Sequence, residues 1–347
     1  MIEFTTTRHN PMVDPSLHLW SWEVAVYLFL GGLVAGLMII SGVRLLVMKP
    51  KERYALVCCT IGPLIGLALL SLGMFALFLD LEHKVHVWRL YLTFQITSPM
   101  SWGSWILLLV YPGLLANALA HLPEAIPALA RRFPILVTWS DFILARTRLV
   151  VAIGVTNMAV GVALGIYTGI LLGTLGARPL WNSAVFGPLF LFSGLSTAAA
   201  LLHGILVLTL PDDERPEFAD FLLSNLARWS EARPLDTRVA PTLAAADNSF
   251  LTVELTLLGL FLIGLLTSTQ AQQQAARLLL GGPYSAVFWV FIVGIGITIP
   301  LVLQYLELRH KIRHTLVPAV LVLCGGLALR FVLVYAGQAS HWLVALQ

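Results

Sequence analysis

Apolar residues run along this chain in long, nearly unbroken stretches separated by short polar ones. The pattern is neither the alternation of a barrel strand nor the one-sided stripe of a soluble helix. A helix needs roughly 20 apolar residues to cross a hydrocarbon layer. Eight runs meet that length, at about 21–47, 55–79, 102–121, 148–174, 184–210, 250–270, 285–306 and 316–337. The fourth carries Gly161, Gly165, Gly169 and Gly173 on one helix face, and Gly32/Gly36 and Gly62/Gly66 repeat the spacing in the first two. Small residues four apart let helix backbones approach closely inside a membrane. The predicted fold is an all-α polytopic membrane protein. Residues 1–347 form a single integral-membrane domain whose eight transmembrane helices make two four-helix bundles, 21–174 and 184–337, after an extracytoplasmic segment 1–20.

Composition agrees. Hydrophobic residues make up 58% of the chain and charged residues 11%, against roughly 45–50% and about 25% in soluble domains. That excludes a soluble enzyme, a disordered chain and a fibrous protein. The small net charge of +3 gives no sign of nucleic-acid binding. Cys58, Cys59 and Cys324 form no CxxC pair, so the sequence offers no cysteine cluster for iron–sulfur or zinc; adjacent Cys58 and Cys59 read as small packing residues.

Arginine and lysine fix the expected orientation. Arg44, Lys49, Lys51 and Arg53 flank the first connection, Arg131, Arg132, Arg146 and Arg148 the third, Arg215, Arg228, Arg233 and Arg238 the fifth, and Arg309, Lys311 and Arg313 the seventh. The opposite side has only Arg8, Lys84, Arg89, Arg178 and Arg277. Both termini are therefore expected outside the cytoplasm. The N-terminus lacks a basic n-region and a small-residue cleavage site, so the first span should be retained. The cytoplasmic loop 211–249 has Pro216 after Asp212, Asp213 and Glu214, then Phe218, Phe221, Leu222, Leu226 and Trp229 near one face. It reads as an interfacial helix, or else as a docking surface for a cytoplasmic partner.

Ionisable residues inside spans are costly and mark candidate sites. His18, Glu23, Asp80, Tyr167 and Arg330 fall at similar outer depth on four elements and are read as converging. Acid, base, phenol and guanidinium together suit a polar head group and proton movement. The bland alternative is a buried ion network with Arg330 neutralised by Asp80 or Glu23. Glu254 and Glu307 read as inner helix ends, Thr156 and Asn157 as mid-depth groups that satisfy neighbouring helices or pass protons, and Ser98 as an N-cap before Pro99 at N1. His121 and His203 are the one pair placed for a bis-histidine haem; interfacial or satisfied core histidines are the simpler account.

Several stretches carry a resemblance: Tyr27–Gly36 (YLFLGGLVAG), Ser98–Trp105 (SPMSWGSW), Tyr167–Leu172 (YTGILL), Pro179–Asn182 (PLWN), Pro188–Gly194 (PLFLFSG), Gly325–Arg330 (GGLALR) and Ala336–Gln338 (AGQ). In this order, from 20 to 338, they resemble the NrfD family of polysulfide-reductase membrane subunits. The 211–249 loop does not match that family's pattern. The resemblance implies a subunit of the bacterial or archaeal cytoplasmic membrane without haem or iron–sulfur cluster of its own. It would bind a quinone, menaquinone or ubiquinone, near the outer face. It would exchange electrons with an extracytoplasmic ferredoxin-like iron–sulfur subunit, itself serving a molybdopterin catalytic subunit or multihaem cytochrome. By position Tyr167 and His18 match the quinone-contacting pattern; Glu23, Asp80 and Arg330 are added from depth. Asp80, Glu23, Asn157 and Glu254 are the proton-transfer candidates. The rival readings are a structural anchor of such a complex, a secondary transporter and a b-type cytochrome.

Overall fold

A computed structural model describes residues 20–47, 57–81, 83–174, 176, 178–208, 240–309, 311 and 315–342. All regular structure among them is helical. In sequence order the helices are α1 (Trp22–Val47), α2 (Val57–Thr60), α3 (Gly62–Asp80), α4 (Arg89–Leu92), α5 (Pro99–Ala125), α6 (Pro127–Arg132), α7 (Pro134–Leu144), α8 (Thr147–Gly173), α9 (Phe186–Leu208), α10 (Ala240–Leu266), α11 (Gln270–Leu280), α12 (Val287–Leu308) and α13 (Val317–Ala339). Eight of them, α1, α3, α5, α8, α9, α10, α12 and α13, are long and apolar enough to span a membrane. His18 and the amphipathic stretch 211–239 lie outside the described residues.

We call α1, α3, α5 and α8 the first group and α9, α10, α12 and α13 the second; α9 packs on members of both. α1 packs on α3 and α8, and α5 on both α3 and α8; α9 packs on α10 and α13, and α12 on both α10 and α13. The groups meet where α1 and α8 touch α9, and α1 touches α13. The α1–α9 crossing is backbone on backbone. A Cβ on Gly36 would come 2.3 Å from the Gly194 carbonyl oxygen, and one on Gly194 2.3 Å from that of Gly32. The glycine spacing therefore works as read. The first and last spans are tied at one end of the bundle, called here the Trp20 end. The Gln338 side chain accepts from Trp20 N (3.1 Å) and donates to Trp20 O (2.7 Å), and the Trp20 ring lies on Trp181 at 5.1 Å.

Three elements differ from the expectation. The sixth span starts at Ala240 rather than 250, because Asp247 and Asn248 interrupt the apolar run. Asp247 nevertheless points inward, and the Asn248 carbonyl accepts the Thr252 hydroxyl at 2.8 Å. Ser98 holds the expected N-cap position before Pro99, but its side chain makes no cap hydrogen bond; Ser101 Oγ instead accepts Gln95 N at 2.9 Å and donates to Thr93 O. The first part of α12, Val287–Thr298, is π-helical. Gly296 sits there against Gly325, a Cβ on either coming within 2.6 Å of the other's Cα, and Thr298 Oγ1 donates five residues back to Val293 O at 2.7 Å.

A methyl at the α1–α9 crossing has nowhere to go. Gly194→Ala should destabilise the detergent-solubilised protein by about 1–3 kcal/mol, the usual cost of overpacking. Gly264→Ala, at a glycine with nothing within 4 Å, should leave the melting midpoint unchanged.

Candidate functional site

Polar groups inside the bundle gather in three places. The first is the Trp20 end of the α1/α3/α5/α8 group. Tyr27 on α1 and Tyr167 on α8 are buried with their hydroxyls in hydrogen-bonding reach of each other. Gly103 on α5 makes room for them: a Cβ there would lie 2.0 Å from Tyr167 Oη. Tyr91 on the short α4 is within electrostatic reach of Tyr27, and Tyr111 within that of Tyr91. Burial and Tyr111 raise the Tyr91 phenol above its usual range, so it stays a neutral hydroxyl. Tyr111 in turn meets the Ser71 hydroxyl at 3.4 Å. Glu23, half-buried, and Asp80 are within electrostatic reach of each other, and Glu23 Oε2 is buried without a hydrogen bond among the described residues.

The second place lies inside the α9/α10/α12/α13 group. Arg330 on α13 is 0% exposed. Its Nη1 donates to Ser193 Oγ and its Nη2 to Phe190 O at 3.2 Å, while the guanidinium lies 4.4 Å from the Phe190 ring centroid. Ser193 also hydrogen-bonds Glu254 on α10, and Ser196 Oγ donates to Glu254 Oε2 at 3.0 Å. Two turns along the same face of α10, about 10 Å away at 1.5 Å per residue, is buried Asp247, whose Oδ2 accepts Gln304 Nε2 from α12. Asp247 Oδ1 and Gln304 Oε1 have no partner among the described residues. Three residues beyond Gln304, buried Glu307 accepts from Thr315 N (3.1 Å) and Oγ1 (3.2 Å) at the entrance to α13.

The third place is the opposite end of the first group. Asn117 Nδ2 donates to Ser41 Oγ at 3.1 Å, and Asn157 Nδ2 to Gly113 O at 3.0 Å and Ile153 O at 2.9 Å. His121 Nδ1 faces Asn117 O at 3.3 Å.

Of the residues singled out in the sequence, Tyr167, Glu23 and Asp80 therefore share one end, with Tyr27 added. Arg330 does not pair with Glu23 or Asp80. Its side chain abuts α1 at Gly32, 3.2 Å from where a Cβ would stand, and faces Ser193 and Glu254. Glu254 is not a solvated helix end: with α10 beginning at Ala240 it lies in mid-span, 3% exposed. Asn157 is in the other group. Sequence reasoning missed Tyr27, Ser193, Ser196, Asp247 and Gln304; of these only Tyr27 and Ser193 fall inside the motif stretches. Among the described residues, no group of three or more His, Cys, Asp or Glu is placed to hold a metal ion.

Eight apolar helices with a polar interior restrict the protein to a multi-pass membrane role, and comparison with known proteins gives its kin. The family model described as polysulphide reductase, NrfD, matches residues 8–341. The protein belongs to the NrfD polysulphide reductase family. It is 28% identical over 328 residues to the C polypeptide of polysulfide reductase from Wolinella succinogenes, covering 92% of this sequence and 94% of the relative. It is 29% identical to protein NrfD of Escherichia coli, covering 93% and 96%, and 26% identical to the NrfD homolog of Haemophilus influenzae, covering 95% and 97%. The NrfD match spans both helix groups, so both polar interiors lie within the region shared with the family.

A buried ion with one partner removed costs about 3–5 kcal/mol, whereas removing both can be near neutral. Arg330→Met should accordingly lower thermal stability strongly, and Arg330→Met with Glu254→Gln should recover most of the loss. Equal losses in the single and double variants would show that Glu254 does not compensate Arg330.

Proposed function

We propose that this protein is the quinone-binding membrane subunit of a respiratory oxidoreductase complex. The observation that carries the reading is the buried hydroxyl pair Tyr27–Tyr167 at the Trp20 end of the first helix group, one turn along α1 from Glu23. A quinone partitions into lipid through its tail, but its ring oxygens need donors or acceptors. Tyr27 and Tyr167 supply two hydroxyls, and Gly103 makes room for that of Tyr167. Glu23 Oε2, buried and without a partner among the described residues, can accept a donor hydrogen. Bound there, the quinone would supply two-electron chemistry linked to protons. Electrons would pass to and from an extracytoplasmic iron–sulfur subunit serving a molybdopterin subunit or multihaem cytochrome. His18, two residues before Trp20, is proposed as a further hydrogen-bonding group, since histidine titrates near neutral pH.

Protons need a route. At the Trp20 end, Glu23 and Asp80 are the groups that would exchange them with the near aqueous side. A second route is favoured by a specific arrangement: Glu307, Gln304, Asp247, Glu254, Ser196, Ser193 and Arg330 follow one another from the far end to mid-span. The uncompensated Asp247 Oδ1 and Gln304 Oε1 suit a buried water, which takes two to four polar partners. Protons carried this way would make turnover move charge across the membrane.

In the intact complex, Tyr27→Phe with Tyr167→Phe should cut quinol-linked turnover on the order of 100-fold, the scale of positioned acid–base and hydrogen-bonding groups. Electron transfer between the soluble subunits, measured with artificial dyes, should be unaffected. Unchanged quinol turnover and unchanged binding of quinone-site inhibitors would refute the assignment.

A further inference from the structure

The third connection has a chemistry that the proposed function does not use. Between α5 and α8 the backbone makes two short helices, α6 and α7, joined by single residues, Ile126 and Phe133, and by the pair Ala145–Arg146. Such short links pin α7 against the end of the bundle at the boundary of the spans. Ser140 and Ile143 fasten it there: both are buried, and Ser140 Oγ donates to Ala120 O of α5 at 2.6 Å. Most of the remaining surface of α7 and its entrance is exposed and apolar, Thr138 and Asp141 being its polar members. Phe133 is 50% exposed, Ile135 63%, Trp139 54% and Phe142 45%. Arginines stand at both ends of this greasy surface, Arg131 and Arg132 before it and Arg146 and Arg148 after it, all exposed. Arg146 is held in place, its guanidinium 3.5 Å over the Phe142 ring and its Nη1 donating to Phe142 O at 3.0 Å. Asp141 is the one acid on the helix.

An apolar face at the boundary is covered by acyl chains, and guanidiniums at that depth meet lipid phosphates. We propose that the α6–α7 element is a binding site for anionic phospholipid, its aromatic face in the acyl region and its two arginine pairs on headgroup phosphates. A soluble protein partner fits less well, because α7 cannot project away from the boundary and offers mostly hydrocarbon. The basic connection at Arg309 and Lys311 has no short helix of its own between the two spans among the described residues, which makes it the control.

The test uses the purified full-length protein in neutral detergent, with phosphatidylglycerol, phosphatidylcholine or inorganic phosphate added, read by retained lipid in native mass spectrometry and by thermal shift. Phosphatidylglycerol should be retained at least about tenfold more strongly than phosphatidylcholine, as expected from several basic groups at a headgroup plane. The preference should weaken as salt is raised. Arg131→Gln/Arg132→Gln and Arg146→Gln/Arg148→Gln should each reduce it several-fold, whereas Arg309→Gln/Lys311→Gln should not. Should a variant fail to fold, the lipid and salt comparison on the unmodified protein still decides. The proposal is overturned by equal retention of both lipids, by a preference that survives both arginine-pair changes, by inorganic phosphate reproducing the whole thermal shift, or by a soluble protein occupying α7 while lipid has no effect.

Discussion

Arg330 is a permanent cation in the middle of a hydrocarbon-facing bundle, and the protein alone must solvate it. Much of the second helix group is arranged around that requirement. Ser193 accepts from the guanidinium, Phe190 gives a carbonyl and a ring face, and the Glu254 carboxyl lies beyond the same serine. These partners come from α9 and α10, so the cation on α13 is satisfied only when the three helices are assembled. The glycine contacts that bring α9 within reach of α1 place Arg330 against Gly32, at the seam between the two groups. One charge therefore ties together packing within the second group and its junction with the first.

From that point the two interiors divide the labour. The first group holds hydroxyls near the Trp20 end, where Gly103 lets Tyr167 come close to α5. The second holds carboxylates and amides that descend from mid-span to the far end. In the proposed reading the hydroxyl pair meets the lipid-soluble carrier and the carboxylate series conducts protons. Arg330 lies between them, where a change of charge on either side is felt most strongly in a medium of low dielectric.

The span count, the helical class and the family were legible because each rests on long-range redundancy: apolar length, glycine spacing and a series of motifs running the length of the sequence. The site was less so. Tyr167 and the Glu23–Asp80 neighbourhood could be placed by depth alone, since depth follows directly from position along a span. Which residues face each other depends on helix rotation, which a uniformly apolar run does not encode; hence Arg330 was read toward Asp80 rather than Glu254. Asp247 was hidden for another reason. A charge within an apolar run looks like the end of a helix, yet Gln304 on a distant segment makes it a core residue. The π-helical part of α12 likewise packs its Gly296 on Gly325 across the interface, a long-range contact that no local pattern announces.

The central claim, that carrier chemistry at the Trp20 end is coupled to protons held in the second group, is tested most directly by redox-triggered infrared difference spectroscopy of the assembled complex. The account predicts a carboxyl signal on quinone reduction that disappears in Glu254→Gln while the quinone bands persist. Quinone bands with no carboxyl change, or a carboxyl change identical in Glu254→Gln and Asp247→Asn, would contradict it.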